Sequence, residues 1–194
     1  MDKRLLWLAV GAFATSTMAF VFAGLLPLVA EAHSVSISVA SHLATAYSLA
    51  YAIGTPILAT LTGAMDRKYV ILSALALFLA GNIAAAMSSN FAVLTAAQLV
   101  MGAAAGLYAS TAQAVAIMIG GIENRAKAVA AVVGGTTFAV ALGAPLGSLI
   151  GHLAGWRATF LFVGLIAVIS NSVLWLMLPR GLAGVKLSLS ERVL

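Results

Sequence analysis

A polytopic, all-α membrane protein is the fold class that three observations predict. Six long apolar stretches fill the chain, at about 5–30, 41–65, 69–88, 91–119, 127–154 and 157–178. Each can supply the roughly 20 helical residues that cross a hydrocarbon core about 30 Å thick. No Asp, Glu, Lys or Arg lies inside a stretch away from its ends. With 63% hydrophobic and 8% charged residues, the chain cannot clothe a surface in water, so lipid is its solvent.

Stretch one follows Asp2-Lys3-Arg4 and has Pro27 near its far end. Ala30-Glu31-Ala32 imitates a signal-peptide cleavage site. A signal's apolar core is only about 7–15 residues, however, so this run reads as an uncleaved first span. Stretch two carries Thr45, Tyr47, Ser48 and Tyr51, then Gly54-Thr55-Pro56, and stops at Asp66-Arg67-Lys68. Stretch three is bland apart from Asn82 and ends at the turn signal Ser88-Ser89-Asn90. Stretch four holds Gln98, Gly102, Gly106, Tyr108, Ser110, Thr111 and Gln113, and ends at Gly120-Gly121. Stretch five carries a glycine row, Gly143, Gly147, Gly151 and Gly155, with Gly135 and Ala139 extending it. A spacing of four puts these on one helix face, where small residues let another backbone approach. Pro145 interrupts the row and can kink it. Stretch six opens after Gly155-Trp156 and holds Asn171 and Trp175.

Charge gives the expected topology. Nine of the ten Lys/Arg (3, 4, 67, 68, 125, 127, 180, 186, 192) fall in alternate gaps or at the termini, and Arg157 alone falls on the other side. The positive-inside bias then places both termini in the cytoplasm of an inner-membrane protein. The net charge of +5 follows from these dispersed loop residues and not from a basic face, so no nucleic-acid partner is expected. Without cysteine there is no disulfide or thiolate metal site, and His33, His42 and His152 share no ligand spacing. No metal, cofactor or catalytic set is expected: no serine sits in Gly-x-Ser-x-Gly, and no phosphate loop is present.

An amide inside hydrocarbon is costly unless it finds a partner or a wet cavity. Gln98 and Gln113 lie about 60° apart around a helix of 3.6 residues per turn, which marks one face of span four as a candidate cavity wall. Gly54-Thr55-Pro56 and Gly143-Ala144-Pro145 are 89 residues apart, and Arg67 and Arg157 are 90 apart. Spans 1–3 and 4–6 would then be three-helix units of opposite orientation, a 3+3 inverted repeat.

Three segments carry a family resemblance: Leu26-Pro27-Leu28-Val29-Ala30 with Thr45-Ala46-Tyr47; Gly63-Ala64-Met65-Asp66-Arg67-Lys68; and Gly143-Ala144-Pro145-Leu146-Gly147 with Gly155-Trp156-Arg157. In order and spacing the chain resembles the amino-terminal half of a major facilitator superfamily transporter, closest to the twelve-helix drug:proton antiporters and sugar-efflux permeases. The resemblance implies alternating-access movement, outward, of a small organic solute such as a drug or sugar. The polar residues Thr15, Tyr47, Gln98, Tyr108 and Gln113 are the expected cavity lining, and the resemblance implies a cytoplasmic gate motif of Gly63, Asp66, Arg67 and Lys68 and a helix 5 motif of Gly143, Pro145 and Gly147. Spans two and five would form gates and spans three and six would face lipid. Tyr69 stands where the loop motif usually has glycine. Gln98 stands where the family has an arginine linked to proton coupling, so the resemblance does not carry that coupling over.

The expected domain is a bundle over 1–178, with 179–194 as a cytoplasmic tail that opens a linker. Ser188 and Glu191 have capping-box spacing, so the tail starts a helix that it does not finish. Besides lipid and solute, the expected partner is a second six-helix half, as a separate chain or as a second copy. The competing reading is a non-transporting membrane subunit or a truncated, non-functional fragment.

Overall fold

The computed structural model describes residues 2–182, which form helices throughout. They are α1 (Lys3–Ala32), α2 (Ile37–Leu61), α3 (Arg67–Ala86), α4 (Phe91–Phe138), a π-turn (Ala139–Gly143), α5 (Ala144–Ala154) and α6 (Trp156–Met177). The tail residues expected to begin a further helix, Ser188 and Glu191, lie outside the described residues. Four helices start where a short polar side chain caps a free backbone N–H: Asp2 for Arg4, Ser36 for Val39, Asp66 for Lys68 and Asn90 for Val93.

Five helical runs are long and apolar enough to cross a membrane, the fourth being Phe91–Ala154, 64 residues. A straight helix of that length would reach about 96 Å, three times a hydrocarbon core. It is not straight. Gly121 has φ 69 and ψ 175, a conformation open essentially to glycine alone. Neighbour registers show that the chain reverses there. The Tyr108 hydroxyl donates to Leu8 O, while Tyr47 links Thr15 O to the backbone at Gly102, so α1 numbers fall as α4 numbers rise. Beyond Gly121 the sense is opposite: Gly135, Gly143, Gly147 and Gly151 face Ala9, Thr17, Val21 and Leu25 in turn. A constant offset of 126 residues marks two parallel helices in contact through the glycine row. The first part of α4 packs on α2 in the same fashion, Gly102 against Tyr47 and Gly106 against Tyr51 and Thr55.

Two apolar clusters fill the bundle, one toward each end. One joins Leu5, Val70, Val115, Ala128 and Leu178, and so gathers the helix ends that carry Asp2, Lys68 and Lys127. The other joins Val29, Leu43, Ala86, Leu94 and Trp156 at the opposite end, near Arg157. Cover is uneven. Eleven of the twenty α3 residues are buried, because α3 lies between α4 and α6. Only Ala40, Leu43 and Tyr47 are buried along the 25 residues of α2. The span expected to be peripheral is thus better covered than the one expected to gate.

Candidate functional site

Four helical segments converge on a cavity of about 480 Å³ within the bundle. Its wall includes Thr15, Ser16 and Phe20 of α1, Tyr47, Ser48 and Tyr51 of α2, and Gln113, Val133 and Thr136 from the two arms of α4. Close helix approach creates it. Glycines bring α4 onto α2 and α1, while the larger side chains between them hold the faces apart.

Many hydroxyls on this wall are already engaged. Thr15 Oγ1 donates back to Gly11 O at 3.0 Å, as helix hydroxyls commonly do. Tyr47 Oη donates to Thr15 O at 2.8 Å, and Ser16 Oγ pairs with Thr136 Oγ1 at 3.1 Å. Ser48, Tyr51 and Gln113 keep side-chain polar groups without a protein partner among the described residues. Among the described residues, no Asp, Glu, Lys, Arg or His lines the cavity.

The structure therefore brings Thr15, Tyr47 and Gln113 together. It places Tyr108 elsewhere, fully buried with its hydroxyl donating to Leu8 O at 2.8 Å. Gln98 is also fully buried, and neither amide atom has a partner. Fifteen residues separate the two glutamines, about 22 Å along the axis, so a shared face does not bring them to one depth. Phe20 and Thr136 were not singled out in the sequence. Nothing local marks Phe20 among apolar neighbours, and the Thr136 partner is 120 residues away.

The Gly63–Lys68 segment forms a clasp. Asp66 caps α3 with one oxygen and accepts the Gly181 N–H with the other, at 2.7 Å. Arg67 reaches the carbonyl of the buried Gly63 at 3.2 Å, and its backbone N–H donates to Leu182 O. Buried Lys68 donates from Nζ to Leu178 O at 2.6 Å, beneath the Trp175 ring. The turn between α2 and α3 thus holds the end of α6. At the opposite end Arg157 donates to Ser88 O at 2.9 Å and stacks on Trp156. His33 packs on Trp156 and Phe91 there, and burial, then Arg157, push its pKa below the usual value.

The Gly143–Gly147 segment lies where the π-turn meets α5. Gly143 touches Thr17, Gly147 touches Val21, and Thr159 Oγ1 donates to Gly147 O at 2.8 Å. Pro145 sits in the first turn of α5. The wider π-turn before it absorbs the missing N–H and the ring's clash with the carbonyl four residues back.

Apolar helices around a side-open cavity that carries hydroxyls and one carboxamide define a multi-pass membrane protein. The family model described as Major Facilitator Superfamily matches residues 8–192, and the chain belongs to that superfamily. It is 38% identical over 173 residues to the uncharacterized MFS-type transporter YtbD of Bacillus subtilis (strain 168), covering 88% of this chain and 44% of that one. It is 32% identical over 186 residues to the inner membrane transport protein YdhP of Escherichia coli (strain K12), covering 96% of this chain and 48% of YdhP. The chain thus spans about half the length of these curated relatives. Its fold is similar to that of the proton:xylose symporter XylE bound to 6-bromo-6-deoxy-D-glucose. There the TM-score is 0.74 at 15% identity, over 91% of this chain and 44% of that one.

Proposed function

We propose that this chain is one six-span wall of an alternating-access transporter that moves a small organic solute outward across the inner membrane. The observation that carries the reading is the side-open cavity, walled in part by Ser48, Tyr51 and Gln113 with their polar groups unspent. Uncompensated polar groups are expensive inside a bilayer, so a site of this kind is kept for water and solute. Gly121 divides the fourth run into two spans. The ends bearing Asp2, Lys68 and Lys127 are cytoplasmic on the positive-inside bias.

A 3+3 inverted repeat is supported by a reciprocal pair of clasps. Lys68, at the start of α3, holds Leu178, at the end of α6; Arg157, at the start of α6, holds Ser88, beyond the end of α3. The two cations are 89 residues apart and the two carbonyls 90. A second six-span unit completes the cavity by covering α2, whose exposed face carries Ser38, Thr45 and Ser48 as well as apolar residues. Asp66, Arg67 and Lys68 govern the cytoplasmic closure through their grip on the end of α6.

Thiol accessibility tests this. The chain has no cysteine, so single-cysteine variants give a clean background. In membrane vesicles, a membrane-impermeant methanethiosulfonate should modify Gln113→Cys and leave Leu165→Cys, at the middle of the exposed apolar face of α6, unmodified. Equal inertness of the two thiols would remove the aqueous path and the proposal with it.

A further inference from the structure

The cavity wall also carries information on what enters it. We propose that it takes an uncharged solute that presents one apolar face and one hydrogen-bonding edge, an inference that rests on the transporter reading above. The free polar groups are a hydroxyl (Ser48), a phenol (Tyr51) and a carboxamide (Gln113). Each offers both a donor and an acceptor, which matches alcohols and amides; a carboxylate accepts only and an ammonium donates only. Two rings stand beside them, Phe20 at 46% and Tyr51 at 39% exposure. They give an apolar face against which a flat or ring-shaped solute can lie.

Charge decides against ions on this wall. Several of the cations and carboxylates near the bundle ends are held in other contacts: Asp2 with Arg4, Asp66 with two backbone N–H groups, Lys68 with Leu178 and Arg157 with Ser88. No charged side chain among the described residues lines the cavity. An ion brought among Ser48, Tyr51 and Gln113 would shed its water without meeting an opposite charge on this wall. A ring face attracts a cation, but that attraction is smaller than the lost hydration. An uncharged solute gives up less water and regains its hydrogen bonds one for one.

The test uses Ala109→Cys, a cavity-wall position that leaves all three polar groups in place, and Ala19→Cys as a second reporter. Modification by an impermeant methanethiosulfonate is followed with three probes that share a ring and differ in charge: phenyl β-D-glucoside, phenyltrimethylammonium and benzenesulfonate. At a concentration a few times its dissociation constant the glucoside should slow modification about fivefold, as occupancy requires. The ionic probes should leave the rate unchanged, and adding Gln113→Ala should abolish the glucoside's protection. Equal or better protection by either ion, or protection by none of the three, overturns the neutral-solute inference. Failure of both thiols to react at all strikes the transporter reading instead, so the two failures are distinct.

Discussion

Gln98 is the residue that sets the sharpest energetic problem. It is fully buried in an apolar cluster with both amide atoms unpaired. An unsatisfied buried polar group costs about 1–3 kcal/mol, whereas an apolar isostere carries no such cost. Gln98→Met should therefore stabilise the detergent-solubilised chain, by about 1 kcal/mol. A lower melting temperature in the variant would mean that the amide has a partner, such as a bound water. His33 makes a second residue-scale prediction. Burial first, and Arg157 second, hold its pKa below 6.5, so the unfolded chain takes up the proton more readily. The stability it contributes is complete above pH 6.5 and declines as pH falls toward the depressed folded value. Asp2 is shifted down from 3.8 by its contact with Arg4, and its contribution is lost only at lower pH. Melting temperature should thus fall between pH 7 and pH 5, and His33→Phe, which keeps the aromatic contacts, should flatten that part of the curve. Parallel curves for the two proteins would exclude His33 as the cause.

Among elements, the glycines have unequal tasks. Gly121 provides the reversal in α4, and an L-residue at φ 69 and ψ 175 is strained whatever the space. Gly121→Ala should cost about 1–3 kcal/mol. Gly134, one helix turn before Phe138, has nothing within 4 Å of an added Cβ, so Gly134→Ala should be neutral or slightly stabilising. Equal melting temperatures for the two variants would contradict the assigned turn. Gly102→Ala acts differently again, since its methyl would collide with the Tyr47 carbonyl and push α2 away. The helix-end clasps supply a further test. Losing a hydrogen bond from a charged donor costs about 1.5–3 kcal/mol, the range expected for Lys68→Met and for Arg157→Met. The two sites lie at opposite ends of α3, about 30 Å apart, so the double variant should be additive to within about 0.5 kcal/mol. A large coupling would show that the two ends communicate.

For the molecule as a whole, the sparse cover of α2 is decisive. Its exposed face mixes Ser38, Thr45 and Ser48 with Leu49, Ile53 and Ile57, a surface suited to another protein wall around a wet path more than to lipid alone. Residues 1–194 reconstituted alone in liposomes should show no solute flux, because one wall leaves the cavity open along its side. Robust saturable transport by this chain would establish instead that two copies complete the site. Topology reporters fused near residues 66 and 124 should read cytoplasmic, and those near 34 and 90 external. An external reading at 124 would be incompatible with a cytoplasmic turn at Gly121.

The sequence by itself determined the solvent, the helices and the family. Apolar runs that exclude charge can only be membrane helices, but the second was expected to start near 41, and the Ser36 cap sets its start at Ile37. Gly120-Gly121 was legible as a break because backbone freedom is written in the residue type. The glycine row announced a close approach, but not that its neighbour is α1 at an offset of 126 residues. Tertiary structure alone decided which polar residues share a depth. Gln98 and Gln113 have a common face in sequence, yet one lies in an apolar cluster and the other in the cavity. Tyr108 is used up on Leu8, while Tyr51, of the same type, remains free. Asp66 and Lys68 were recognisable as a motif, but their partners Gly181 and Leu178 lie more than 100 residues away. Propensity, capping and hydropathy act over a few neighbouring residues and can be read along the chain. Pairing of polar groups is settled by packing between distant segments, and no local pattern records it.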